Sequence, residues 1–135
     1  AKVSCKKFVR EFEFDPEKEP KVGEEIKVDI FSEGESVIIS GKSKGKGFEG
    51  VMKRHGFSGG QKTHGQSDRM RAPGSIGNSS WPSRVWKGMK MPGRSGNRKI
   101  TQKSIKIVKI FNDKNIMLVK GAVPGRKNSL VEIRG

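Results

Sequence analysis

Apolar and polar residues alternate near both ends of this chain, and the pattern lapses in the middle. Phe8, Phe12 and Phe14 fall on one face at period two, with Arg10 breaking the apolar series, and Asp15-Pro16 opens a turn-rich stretch. Ile26, Val28 and Ile30 alternate with Lys27 and Asp29, which predicts a half-buried strand. Glu33-Gly34-Glu35 reads as a turn, and Val37-Ile38-Ile39 as a short strand rich in β-branched residues. Farther on, Ile105 to Phe111 and Asn115 to Lys120 flank Asn112-Asp113-Lys114, the spacing of a β-hairpin. Gly121 to Gly125, with Pro124, is a further turn, and Leu130 to Ile133 a closing strand. No stretch sustains a 3.6-residue period. The best helix candidate is short, from Phe48 to Arg54, entered from Ser43 or a neighbouring glycine as N-cap. The fold class is mainly β. A single domain is expected over residues 1–135, with body strands in 1–40 and 104–135 and a long extended insertion in 41–103.

Composition changes what the middle segment means. Only 31% of the 135 residues are apolar, while 18 are glycine. A backbone this rich in glycine loses much entropy on ordering and gains little burial in return. The net charge is +15, unevenly spread. Residues 1–40 hold 7 basic and 10 acidic side chains, residues 41–103 hold 15 and 2, and residues 104–135 hold 7 and 2. The middle segment also carries 13 of the 18 glycines. It is therefore a Gly/Lys/Arg-rich arm, and Pro73-Gly74, Trp81-Pro82 and Met91-Pro92-Gly93 preset bends along it.

Several classes fall away. The longest apolar runs are four or five residues, such as Ile116 to Val119, too short for a membrane span. The beginning, AKVSCKKFVREFEF, has no apolar h-region and does not read as a secretory signal. Cys5 is the only cysteine, so neither an internal disulfide nor a CxxC metal site is expected, in keeping with a reducing compartment. His55 and His64, the only histidines, lack the convergent Cys or carboxylate ligands of a metal centre. Gly45 to Gly50 fits GxGxxG, but the helix expected after it is short, whereas a dinucleotide site requires a full one. Gly60 to Ser67 falls one residue short of a P-loop, with Gln66 where the phosphate-reaching lysine belongs. The chain does not read as an enzyme, and no cofactor is expected.

The basic residues are the informative signal. A charge run is ordinarily a solvated face. Here the arm offers only Glu49 and Asp68 as internal counter-charges, and a nucleic-acid backbone would supply the rest. Duplex readers usually present a helix to the major groove, and none is predicted. A glycine-rich arm with interleaved Trp, Phe, His and Arg suits folded RNA, whose crevices and unstacked bases accept planar groups. The residues expected to neutralise phosphates are Lys42, Lys44, Lys46, Lys53, Arg54, Arg69, Arg71, Arg84, Lys87, Lys90, Arg94 and Arg98. His55, His64 and Trp81 are expected to touch bases or riboses, although Trp81 and Trp86 are also candidates for core anchors. On charge alone, a general nucleic-acid-binding protein or RNA chaperone remains the alternative.

A series of short motifs follows in order: Gly41-Lys42-Ser43-Lys44-Gly45-Lys46-Gly47-Phe48, Lys53-Arg54, Thr63-His64-Gly65, Pro73-Gly74-Ser75-Ile76-Gly77, Arg84-Val85-Trp86-Lys87-Gly88, Met91-Pro92-Gly93, and Leu118 to Gly125. Together they closely resemble the bacterial-type large-subunit ribosomal protein L3 family. The resemblance implies a translation-protein-type β-barrel that binds large-subunit rRNA, supports early subunit assembly and sends its insertion toward the peptidyl transferase centre. It implies no catalysis, since rRNA carries out peptide transfer. The implied partners are large-subunit rRNA and neighbouring ribosomal proteins, with no membrane and no homo-oligomer, in a ribosome of the cytoplasm or of an organelle. The arm tip would lie at Gly77, Asn78, Ser79, Ser80 and Trp81. There are two departures. Some members carry a methylated Gln where Ser80 stands, so that modification is not expected here. The family's N-terminal portion is also missing, so the barrel is expected to be incomplete or completed by a partner segment.

Overall fold

The computed structural model describes residues 4–13 and 20–135. Its centre is a four-stranded antiparallel sheet in the order β5-β4-β1-β6. The strands are β1 (Ser36–Lys42), β4 (Lys99–Phe111), β5 (Ile116–Lys120) and β6 (Val131–Arg134). A separate two-stranded ribbon pairs β2 (Gly47–Glu49) with β3 (Gly93–Ser95), and one short helix, α1 (Val51–His55), follows β2. Among the described residues the sheet is open rather than closed into a barrel.

The short β-branched strand expected at Val37 to Ile39 is realised within β1, with burial alternating along it. Val37 and Ile39 are buried on one face together with Gly41, while Ser36, Ile38 and Lys42 look outward. Ile105 and Ile107 of β4 complete the buried cluster, and Phe31, Ile110, Met117, Val119, Val131 and Ile133 pack against its margin. The core is thus the inner face of one sheet. Two register irregularities interrupt it. One lies between Val37 and Ile39 opposite Lys103 and Ser104, with Ser104 at φ +58°; the other lies at Val108. The β4–β5 hairpin turns through a 3-10 turn at Asn112–Lys114 and leaves it at Asn115, φ +50°. The turn at residues 32–35 is closed by the Ser32 amide donating to the Glu35 carboxylate at 2.9 Å. It continues the β1–β4 pairing, because Gly34 N–H donates to the Ile107 carbonyl and Ile107 N–H to that of Glu35, both at 2.9 Å.

Four expectations need correction. Ile26, Val28 and Ile30 do not form a strand: Val28–Ile30 is a 3-10 turn, and Ile26 and Ile30 are exposed. Their alternation is amphipathic, but among the described residues no strand pairs with it. Phe8 and Phe12 likewise lie in irregular, exposed backbone, and Phe14 falls outside the described residues. That segment reaches the sheet edge through side chains: Arg10 pairs with Glu132 at 3.1 Å, and the Arg134 guanidinium lies 6.0 Å from the Phe12 ring. The helix is also shorter and later than expected, with Gly50 as its N-cap and Phe48 in the ribbon. Finally, β1 extends through Lys42, and β4 begins at Lys99.

The turn at residues 121–125 lies over the root of the arm. A Cβ on Gly41 would stand 3.0 Å from the Pro124 carbonyl oxygen and 3.3 Å from a Val131 methyl, so any larger residue would require this turn to give by a few tenths of an ångström.

Candidate nucleic-acid interface

Two chain segments leave the sheet together at Lys42 and Lys99, which face each other across the β1–β4 ladder. They stay paired beyond it. Ser43 N–H donates to the Arg98 carbonyl at 2.9 Å, and the Ser43 hydroxyl donates to the same oxygen at 3.1 Å. Asn97 N–H donates to the Lys44 carbonyl at 3.3 Å, and Lys46 N–H to that of Ser95 at 3.0 Å. The ribbon then aligns Gly47 with Ser95, Phe48 with Arg94 and Glu49 with Gly93. The result is a two-stranded stalk carrying Lys42, Lys44, Lys46, Arg94 and Arg98 as exposed side chains. The Gly45–Gly50 motif is therefore ribbon backbone whose Lys46 amide is already used, not a strand-to-helix phosphate cradle.

Glu49 anchors the end of the stalk. It is buried, and its carboxylate lies 3.2 Å from Lys53 one helical turn on. A hydrogen bond from Ser95 holds its carboxyl below the ordinary range, aided by Lys53 and Lys46 and opposed by burial. The carboxylate thus ties β3, β2 and α1 to one another. At the end of α1, Arg54 donates to the Met91 carbonyl at 2.7 Å, and the His55 ring nitrogen lies 3.0 Å from the same oxygen. His55 also packs 6.1 Å from the Phe57 ring. Of the sequence-selected residues, Arg54 and His55 are thus engaged within the chain, while Lys53 is exposed beside Glu49.

Beyond the helix the burial ends. From Met52 to Pro92 no residue is buried. The loop of residues 56–74 closes locally, with Gly60 N–H donating to the Met70 carbonyl at 2.8 Å and Ala72 N–H to that of Arg69 at 3.2 Å. His64, Arg69 and Arg71 are exposed on it. Gly77, Asn78, Ser79, Ser80 and Trp81 are all exposed, as are Arg84, Lys87 and Lys90 on the return. The Trp81–Pro82 peptide is cis. Trp81 and Trp86 meet edge to face at 6.0 Å, with the Arg84 guanidinium 5.1 Å from the Trp86 ring. Neither tryptophan is a core anchor: Trp81 is 76% exposed and Trp86 46%.

The sequence selection missed Phe48, an exposed aromatic aligned with Arg94 on the ribbon, because it was assigned to the helix. It also passed over Lys99, which faces Lys42. Among the described residues no group of three or more His, Cys, Asp or Glu side chains is placed to hold a metal ion, and no helix is long and apolar enough to cross a membrane.

An exposed cationic arm on a small sheet is a geometry many sequences reach, whereas the order of the motifs along it is far more restrictive. The model of the ribosomal protein L3 family matches residues 3–116. The chain belongs to the ribosomal protein L3 family. It is 56% identical over 115 residues to large ribosomal subunit protein uL3 of Chloroherpeton thalassium, covering 85% of this chain and 55% of that protein. Against uL3 of Herpetosiphon aurantiacus the identity is 52% over 127 residues, covering 94% and 60%. Against uL3 of Brachyspira hyodysenteriae it is 47% over 133 residues, covering 98% and 61%. The chain thus spans between 55% and 61% of the length of these L3 relatives. L3 is a structural family, not an enzymatic one.

Proposed function

We propose that this chain is a structural constituent of the large ribosomal subunit that binds large-subunit rRNA directly. It supports early subunit assembly beside neighbouring ribosomal proteins, and in a bacterium its ribosome is cytoplasmic. The sheet is the surface body, part of a translation-protein-type barrel. The arm, residues 43–98, enters rRNA and carries Gly77 to Trp81 toward the peptidyl transferase centre. The cations on the stalk and distal arm neutralise phosphates, while His64, Trp81 and Phe48 meet bases or riboses.

One observation carries this reading: no residue from Met52 to Pro92 is buried, so the distal arm has no core of its own. Such a segment gains little from folding on itself and much from a polyanion around it.

Binding of the chain to deproteinised large-subunit rRNA, titrated with salt, tests the proposal. About ten phosphate contacts would cost several decades of affinity over a modest salt range. A flat salt response would overturn it. Equal affinity for unrelated duplexes would instead favour a general nucleic-acid chaperone.

A further inference from the structure

The outer face of the sheet carries an arrangement of charge that its own stability does not explain. Residues directly opposite each other in an antiparallel pair point to the same face. Lys106 is directly opposite Lys120, and at the far end of the same face Lys42 is opposite Lys99. All four are exposed. Like charges in this position repel.

The two pairs are differently compensated. Lys99 donates to the Glu132 carboxylate at 2.8 Å, and Glu132 also holds Arg10, so the lower pair has an acid beside it. Among the described residues no carboxylate pairs with Lys106 or Lys120. Ser36 is the other neighbour of Lys106. Lys109 adds a third cation to the upper end, 5.2 Å from the Phe111 ring. Between the two ends lie the hydroxyls of Ser40 and Thr101, 2.9 Å apart. Six residues of β1 separate the ends, about 20 Å at the rise of a strand.

A face kept merely soluble has no need of two lysines in direct opposition when, among the described residues, no carboxylate pairs with either, since alternating signs would serve. We propose that Lys106 and Lys120, with Lys109, form a second RNA-backbone contact on the outer face of the sheet, separate from the arm. A phosphate between the two ammonium groups converts their repulsion into joint attraction. The flanking hydroxyls and the exposed Ile38, Leu118 and Phe111 suit a shallow surface laid against sugar and backbone rather than one that reads base edges. This inference rests on the rRNA-binding reading above.

The test uses the full chain, deproteinised large-subunit rRNA as probe, and two double variants, K106Q/K120Q and K106R/K120R. The glutamine pair is expected to reduce the slope of log affinity against log salt by about 1 to 2, while the arginine pair keeps it. Without RNA at low salt, the glutamine pair is expected to raise the Tm by about 1–4 °C by removing the repulsion. Weaker RNA binding together with a more stable free chain is the signature of a contact site. An unchanged slope in the glutamine variant, with a steep wild-type response, overturns the second contact and leaves the rRNA reading standing. A flat response of the wild-type chain overturns both.

Discussion

At the residue scale, the stalk depends on positions where one atom decides. Gly96 has φ +69°, and a Cβ there would collide with the Lys44 carbonyl oxygen. That carbonyl accepts from Asn97, so the collision falls on the pairing itself. Gly96→Ala is expected to cost about 1–3 kcal/mol in urea denaturation. Glu49 gives a second test, through pH. Its carboxyl is held below the ordinary glutamate value of 4.5. The depressed group stabilises the folded stalk fully above that value, and the contribution is lost as pH falls through the lowered one. Amide signals of Lys46 and Ser95 should therefore report loosening of the ribbon in acid, and the Glu49→Gln variant should lack that step. A wild-type ribbon indifferent to acid would show that the carboxylate does not tie it.

At the element scale, the sheet is held by few side chains. Ile39 is 1% exposed and lies between Ile133 of β6 and the β4 strand. Ile39→Ala should destabilise the chain by about 2–5 kcal/mol. Val108, in the β4–β5 irregularity and 57% exposed, should tolerate alanine within about 0.5 kcal/mol. Chemical denaturation of both variants checks the contrast. The elements legible in the sequence were those whose alternation meets a partner nearby: β1, the β4–β5 hairpin with its Asn112–Lys114 turn, and β6. Ile26 to Ile30 alternate equally well, yet a period of two reports amphipathicity and not the presence of a neighbouring strand. The β2–β3 ribbon was not legible for the opposite reason. It joins residues more than forty positions apart, contains a glycine in each strand and has no β-branched residue to announce it.

At the scale of the whole molecule, the most cationic part of the chain is also the part without burial, since no residue from Met52 to Pro92 is buried. The residues chosen as cations are exposed almost throughout, because a lysine or arginine without an acid has nowhere to be buried. What composition alone could not separate was cations that face outward from those already engaged, such as Arg54 on the Met91 carbonyl. Because the distal arm has no buried residues, its amides should exchange rapidly in the free chain and become protected on rRNA. Strong protection across residues 58–80 without RNA would contradict this, while the β1 and β4 amides should be protected in both states.

The glycine beneath the Pro124 turn has a mechanical consequence. Gly41 lies at the root of the paired stalk, with Pro124 and Val131 packed over it. A methyl group there would push the 121–125 turn outward by a few tenths of an ångström, away from the strand that leads into the stalk. The two stalk strands would then leave the sheet without that cover, and the angle at which they depart would be less sharply held.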